Sequence, residues 1–92
     1  MQERIEAIVR GKVQFVMYRD FACRKARGLK LVGEVENLPD GTVRVAAEGK
    51  REALEVFVAK LHTGSLLSRV DGVSVEWKPA SGSYSSFDIA YR

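Results

Sequence analysis

Arg19 closes the run Gly11-Lys12-Val13-Gln14-Phe15-Val16-Met17-Tyr18-Arg19, which leads from a strand-like stretch into a helix-like one. A loop entering a helix offers backbone N–H groups without intrahelical partners, together with the positive end of the helix dipole. An arginine at the same place adds a cationic fork shaped for phosphate oxygens. These parts make an oxyanion site that needs no metal and no cofactor. The other reactive side chains offer less. Cys23 is the only cysteine, and the arginine that a cysteine-dependent phosphatase needs six positions later is Leu29 here. A small buried helix residue is the expectation for Cys23. His62, at the end of a second helical run, suits the helix dipole as a structural side chain. A nucleotide-binding P-loop is excluded by spacing, because Val16-Met17-Tyr18 stands where that motif needs glycine, lysine and a hydroxyl residue.

The chain has 92 residues and a net charge of +3. That length predicts one domain, residues 1–92, with one core. Residues 1–31 carry eight basic and three acidic side chains, whereas the remainder carries seven and nine. The positive third contains the loop, an asymmetry that favours a small anionic ligand there. No apolar run reaches the length of a membrane span, and Met-Gln-Glu-Arg-Ile lacks a signal peptide's layout. With a single cysteine, no intrachain disulfide can form. The expectation is a cytoplasmic monomer without membrane contact.

Patterning supplies the elements that must position the loop. Ile5, Ala7 and Val9 predict a first strand that Gly11 breaks. Phe21, Ala22, Ala26 and Leu29 lie along one stripe of a helix from about Tyr18 to Arg27, with Asp20 in its first turn, basic residues in its last, and Gly28 as terminator. Val32 to Leu38 and Thr42 to Glu48 alternate as strands around Pro39-Asp40-Gly41, a hairpin turn. Leu54, Phe57, Val58 and Leu61 set a second helix at i, i+3, i+4 and i+7, ended by Thr63-Gly64-Ser65. Val70, Val73, Val75 and Trp77 read as a fourth strand with a bend at Gly72. After a polar loop, Phe87, Ile89 and Tyr91 read as a short closing strand. The order βαββαβ predicts a ferredoxin-like α+β sandwich, an antiparallel sheet with two helices on one face.

The loop and hairpin resemble the acylphosphatase family. Its pattern Gly-x-Val-Gln-Gly-Val-x-(Phe/Tyr)-Arg is met by Gly11 to Arg19 at every position but Phe15. Its second block is met by Gly33-Glu34-Val35-Glu36-Asn37 and Asp40-Gly41-Thr42-Val43. Fainter similarity runs through Glu48-Gly49, Phe57 to Gly64, Val70 to Trp77 and Phe87-Asp88-Ile89. The resemblance implies hydrolysis of an acyl phosphate, a mixed anhydride, to a carboxylate and inorganic phosphate. It implies that Arg19 holds the phosphoryl group, with the backbone N–H groups of Val13, Gln14, Phe15 and Val16 around its oxygens, and that Asn37 orients the attacking water. The water's proton passes to the substrate phosphate, so no carboxylate or histidine acts as base. Chemistry agrees, since phosphoryl transfer asks chiefly for positioning and charge stabilisation. Direct pairing of the two strands flanking the first helix would bring Asn37 to the loop. Alternatively, Asn37 caps the hairpin turn.

Phe15 departs from the pattern, standing where glycine is expected. A positive φ there would cost phenylalanine about 1–2 kcal/mol and threaten one oxyanion donor. A negative φ with the ring outward would leave the loop whole. The first outcome motivates an alternative function, a weak or inactive domain that binds phosphate or a carbamoyl-phosphate-like anion. RNA binding is a third reading, and the absence of any aromatic in Thr42 to Glu48 argues against it. No nucleic acid enters the leading reading. Two milder departures concern helix ends: Lys30 replaces a glycine in Leu29-Lys30-Leu31, and Ser65 follows Gly64 where proline is usual.

Overall fold

Ile5, Ala7 and Val9 are buried on one face of β1 (Gln2–Lys12), in a computed structural model that describes residues 2–92. The elements that follow are α1 (Tyr18–Gly28), β2 (Val32–Asn37), β3 (Val43–Lys50), α2 (Arg51–Thr63), β4 (Arg69–Pro79) and β5 (Phe87–Ile89). The sheet runs β4-β1-β3-β2-β5. Its four longer strands pair antiparallel, while β5 pairs parallel to β2 and makes the sheet mixed. Tyr18, Phe21, Ala22 and Ala26 of α1, and Leu54, Phe57 and Leu61 of α2, share one core with Val35, Val43, Val45 and Ala47 of the sheet. The ferredoxin-like expectation is met. No helix among the described residues is long and apolar enough to cross a membrane.

Three local expectations change. Gly11 does not break β1, which continues to Lys12. Instead the register against β4 shifts between Arg10 and Gly11, leaving Asp71 as the extra residue of a bulge. Glycine is required there, because at φ 129° a Cβ would lie 2.1 Å from the Arg69 carbonyl oxygen. Secondly, β1 and β2 are not neighbours, since β3 lies between them. Val43 of β3 faces Val9 on one side and Asn37 on the other, so β3 carries the register from the loop's strand to Asn37.

The third change is at the end of α1. Gly28 is its last helical residue, and Lys30 takes the left-handed conformation at φ 60°. Leu31 N–H donates to the Ala26 carbonyl at 2.9 Å and Lys30 N–H to the Arg27 carbonyl at 3.0 Å, the two bonds of a Schellman cap. The cap's geometry demands a positive φ at the residue that closes it, whatever side chain it carries. Lys30→Gly is therefore expected to stabilise the protein. Relief of about 1–2 kcal/mol of strain outweighs the greater freedom that glycine has in the unfolded chain, about 0.4–1 kcal/mol. The urea midpoint should rise with its slope unchanged.

The sheet face away from the helices is covered by ion pairs. Arg44 and Arg92 bridge Glu34 and Glu36, while Arg4 lies between Glu6 and Glu48. Glu48 is 2% exposed and accepts from Arg4 at 2.6 Å, from Ser81 N–H at 3.1 Å and from Gly82 N–H at 3.0 Å. Burial alone would raise its pKa, but bonds from Ser81 and Arg4 outweigh this and hold it at about 2, below its ordinary 4.5. A carboxyl depressed on folding stabilises the fold above its unfolded pKa and ceases to do so as pH falls through the folded one. Stability should thus fall from about pH 4.5 towards pH 2, by roughly 3 kcal/mol at most. Glu6 and Glu34 are also lowered, by bonds from Arg4 and Arg92. Glu48→Gln should flatten that part of a denaturation-against-pH curve.

Candidate active site

Residues 13–17 leave β1 without forming a helix or strand, and their backbone alternates in hand. Phe15 and Met17 have φ of 60° and 61°, while Gln14 and Val16 keep negative φ. Such alternation turns successive N–H groups to one side and makes a concave anion-binding nest. Among the described residues, the N–H groups of Val13, Gln14, Phe15 and Val16 have no backbone or side-chain acceptor. The loop runs into α1 with Met17 at the cap position and no side-chain cap, so the first-turn donors stay open beside it. Two non-glycine residues in the left-handed region cost about 1–2 kcal/mol each, strain of the kind that functional loops retain.

The two outcomes foreseen for Phe15 occur together in part. Its φ is positive, as glycine's would be, and its ring points outward, 94% exposed. The backbone thus keeps the nest, at a cost in strain and with the ring held outside it.

Side chains brace the loop at three points. Gln14 Nε2 donates to the Leu38 carbonyl at 2.8 Å and the Thr42 carbonyl at 2.9 Å, fastening the loop to the hairpin that bears Asn37. Ser65 Oγ donates to the Val16 carbonyl at 3.3 Å. Tyr18, buried at the first position of α1, donates its hydroxyl to the Leu61 carbonyl of α2 at 2.7 Å. Burial also pushes the Tyr18 phenol well up, keeping it a neutral donor. Sequence reasoning counted Gln14 for its backbone alone, and missed Ser65 and Tyr18 as braces. A glutamine next to three apolar neighbours was the available signal for the first.

Arg19, next to the Tyr18 anchor, lines a cavity of about 360 Å³ with Val13, Phe15, Met17, Asp20, Ile89 and Tyr91 among its neighbours. Its guanidinium lies 5.3 Å from the centre of the Tyr91 ring. Tyr91 was expected in the closing strand, but β5 ends at Ile89 and frees it to reach Arg19. Arg4, Arg27, Arg44, Arg51, Arg69 and Arg92 are paired with carboxylates, whereas Arg10, Lys12, Arg19 and Arg24 form no ion pair among the described residues. The basic excess of the first third is therefore available for a ligand.

Asn37, the last residue of β2, lies at the hairpin and does not line the Arg19 cavity. Its Oδ1 is buried without a hydrogen-bond partner among the described residues. It does not cap the turn. That work falls to Asp40, whose carboxylate accepts from Thr42 N–H at 3.0 Å and from the Thr42 hydroxyl at 2.6 Å. A buried amide oxygen left unpartnered costs about 1–3 kcal/mol, so it marks a position suited to a ligand or water donor. Arg19 and the nest thus meet at one side of the loop, and Gln14 ties its other side to Asn37's hairpin. Cys23 and His62 stand apart: burial raises the Cys23 thiol, and the exposed His62 Nδ1 lies 3.0 Å from the Val58 carbonyl on its own helix.

Comparison with known proteins identifies the family. The Acylphosphatase family model matches residues 5–89. An acylphosphatase of Thermus thermophilus is 52% identical over 79 residues, covering 86% of this chain and 90% of that protein. One from Anaeromyxobacter dehalogenans is 41% identical over 93 residues, covering 99% of this chain and all of its own length (100%). The crystal structure of the Bacillus subtilis acylphosphatase superposes with a TM-score of 0.94 at 37% identity, covering 97% of this chain and 99% of that one. With two ordered motifs, the nest within the first of them and this breadth of similarity, the chain belongs to the acylphosphatase family.

Proposed function

We propose that this protein hydrolyses acyl phosphates, and that its 92 residues act as one domain. The observation that carries the reading is the alternating backbone of residues 14–17 beside an unpaired Arg19. The nest's N–H groups and the Arg19 fork bind the phosphoryl oxygens, where negative charge gathers during transfer. Asn37, held to the same loop through Gln14, accepts from the attacking water and aims its oxygen at phosphorus. The new P–O bond forms as the bond from phosphorus to the acyl oxygen breaks, and that oxygen leaves with the electron pair as carboxylate. One proton of the water passes to a phosphoryl oxygen, so the products are a carboxylate and dihydrogen phosphate. The leaving carboxylate is a weak base, which is why positioning and charge suffice without a protein acid.

The alternative, a domain that binds phosphate or a carbamoyl-phosphate-like anion without turning it over, rested on Phe15 deforming the loop. The φ is positive, the outcome that motivated this alternative, but the outward ring and the N–H groups left without acceptors among the described residues argue against a deformed loop. A single buried cysteine suits a reducing compartment such as the cytoplasm, where the protein would act as a monomer. Release of inorganic phosphate from acetyl phosphate tests the reading. Turnover competitively inhibited by inorganic phosphate is expected, and its absence from folded protein would overturn the assignment.

A further inference from the structure

The ring of Phe15 is 94% exposed on a strained backbone, at the edge of the cavity that Arg19 lines. Neither the strain nor the exposed ring stabilises the free protein. Met17 and Tyr91, which line the same cavity, are also open, at 68% and 78%. An exposed apolar group of this kind around one cation is the composition of a ligand site.

The cavity measures about 360 Å³. A phosphoryl group of about five heavy atoms, at about 30 Å³ for each water-sized group, fills less than half of such a space. The remaining walls, from Val13, Phe15, Met17, Ile89 and Tyr91, are apolar or aromatic. Among the described residues the only other charge there is Asp20, whose carboxylate repels a second anionic group on the substrate. We propose that this cavity receives the acyl half of the substrate, that it selects an uncharged aromatic acyl group, and that Phe15 is the residue chiefly responsible for the selection. This rests on the hydrolase reading and names the substrate class within it. Ring-on-ring contact with Phe15 and Tyr91 in offset or edge geometry supplies the preference. The phosphoryl group, held by the nest, is common to every substrate and contributes nothing to it.

The test compares kcat/KM for benzoyl phosphate and acetyl phosphate in the wild type, in Phe15→Leu and in Phe15→Asn. Asparagine tolerates the left-handed backbone, so the nest is kept while the ring is lost. The ratio between substrates cancels any change in phosphoryl binding and the intrinsic reactivity of each compound. A benzoyl-to-acetyl ratio about fivefold lower in Phe15→Asn than in the wild type is expected, with Phe15→Leu between them and the change mainly in KM. Turnover of both compounds at a ratio that neither substitution alters would overturn the inference and leave the hydrolase reading standing. Turnover of neither compound by the wild type would overturn the hydrolase reading, and the inference with it.

Discussion

Arg19→Ala is expected to lower kcat/KM for acetyl phosphate by about a thousandfold while leaving the fold's stability nearly unchanged. Removing one preorganised donor from a developing oxyanion costs on the order of a hundred- to a thousandfold, and arginines at transferring phosphoryl groups lie at or above that range. Stability responds differently because two small effects oppose each other. The guanidinium 5.3 Å from the Tyr91 ring gains about 0.5–1 kcal/mol from the contact. A cation in the first turn of α1 loses about 0.3–1 kcal/mol against the positive end of the dipole. The net change should lie within about 0.5 kcal/mol. Arg19→Lys separates charge from shape: it keeps the positive charge but not the planar fork, and should recover part of the lost rate. Phosphate-release kinetics with a denaturation curve for each variant make the check. Wild-type turnover in Arg19→Ala would remove Arg19 from the site.

Local pattern and tertiary context divided the work unevenly in this chain. The alternation of Ile5, Ala7 and Val9 and the helical spacing of Leu54, Phe57 and Leu61 were legible because a buried face imposes its period on the residues that line it. The positions of positive φ were legible only in part. Gly28 seemed the natural terminator of α1, but the Schellman bonds from Leu31 and Lys30 choose the residue by its place in the cap, and Lys30 bears the strain. At Phe15 and Met17 the bracing of the loop on both sides fixes the backbone, and side-chain preference yields to it. Gly11 reads as a breaker by type, yet acts as a bulge because β4 passes close to it.

The site followed the same division. Its candidate residue types were legible through the motif; an arginine at a helix start is on its own usually a surface residue, and the anion-binding expectation for Arg19 comes from the loop around it. The route by which Asn37 reaches the loop was not legible, since it runs through β3 and through a glutamine whose partners lie 24 and 28 residues away. Tyr91 reached Arg19 only because β5 stops short, a boundary that alternation at Phe87, Ile89 and Tyr91 does not mark.

Asn37→Ala should separate catalysis from stability in the opposite sense to an ordinary core substitution. Its Oδ1 is buried and unpartnered among the described residues, and the turn beside it is held by Asp40 and Thr42 instead. Because that oxygen bonds no protein group among the described residues, its removal breaks no internal hydrogen bond, and the variant is expected to lie within about 1 kcal/mol of the wild type in stability. The same oxygen is proposed to hold the attacking water. Its loss should lower kcat on the order of a hundredfold with little change in KM, because the phosphoryl contacts of the nest and Arg19 are untouched. A residue serving only the hairpin would give the reverse: full turnover with a lower melting temperature. Asn37→Asp sharpens the distinction. It keeps the shape and an acceptor oxygen, but brings a negative charge towards a site built for an anion, so KM for acetyl phosphate should rise as well. Steady-state kinetics and thermal melts on the two variants decide between a water-orienting amide and a structural one.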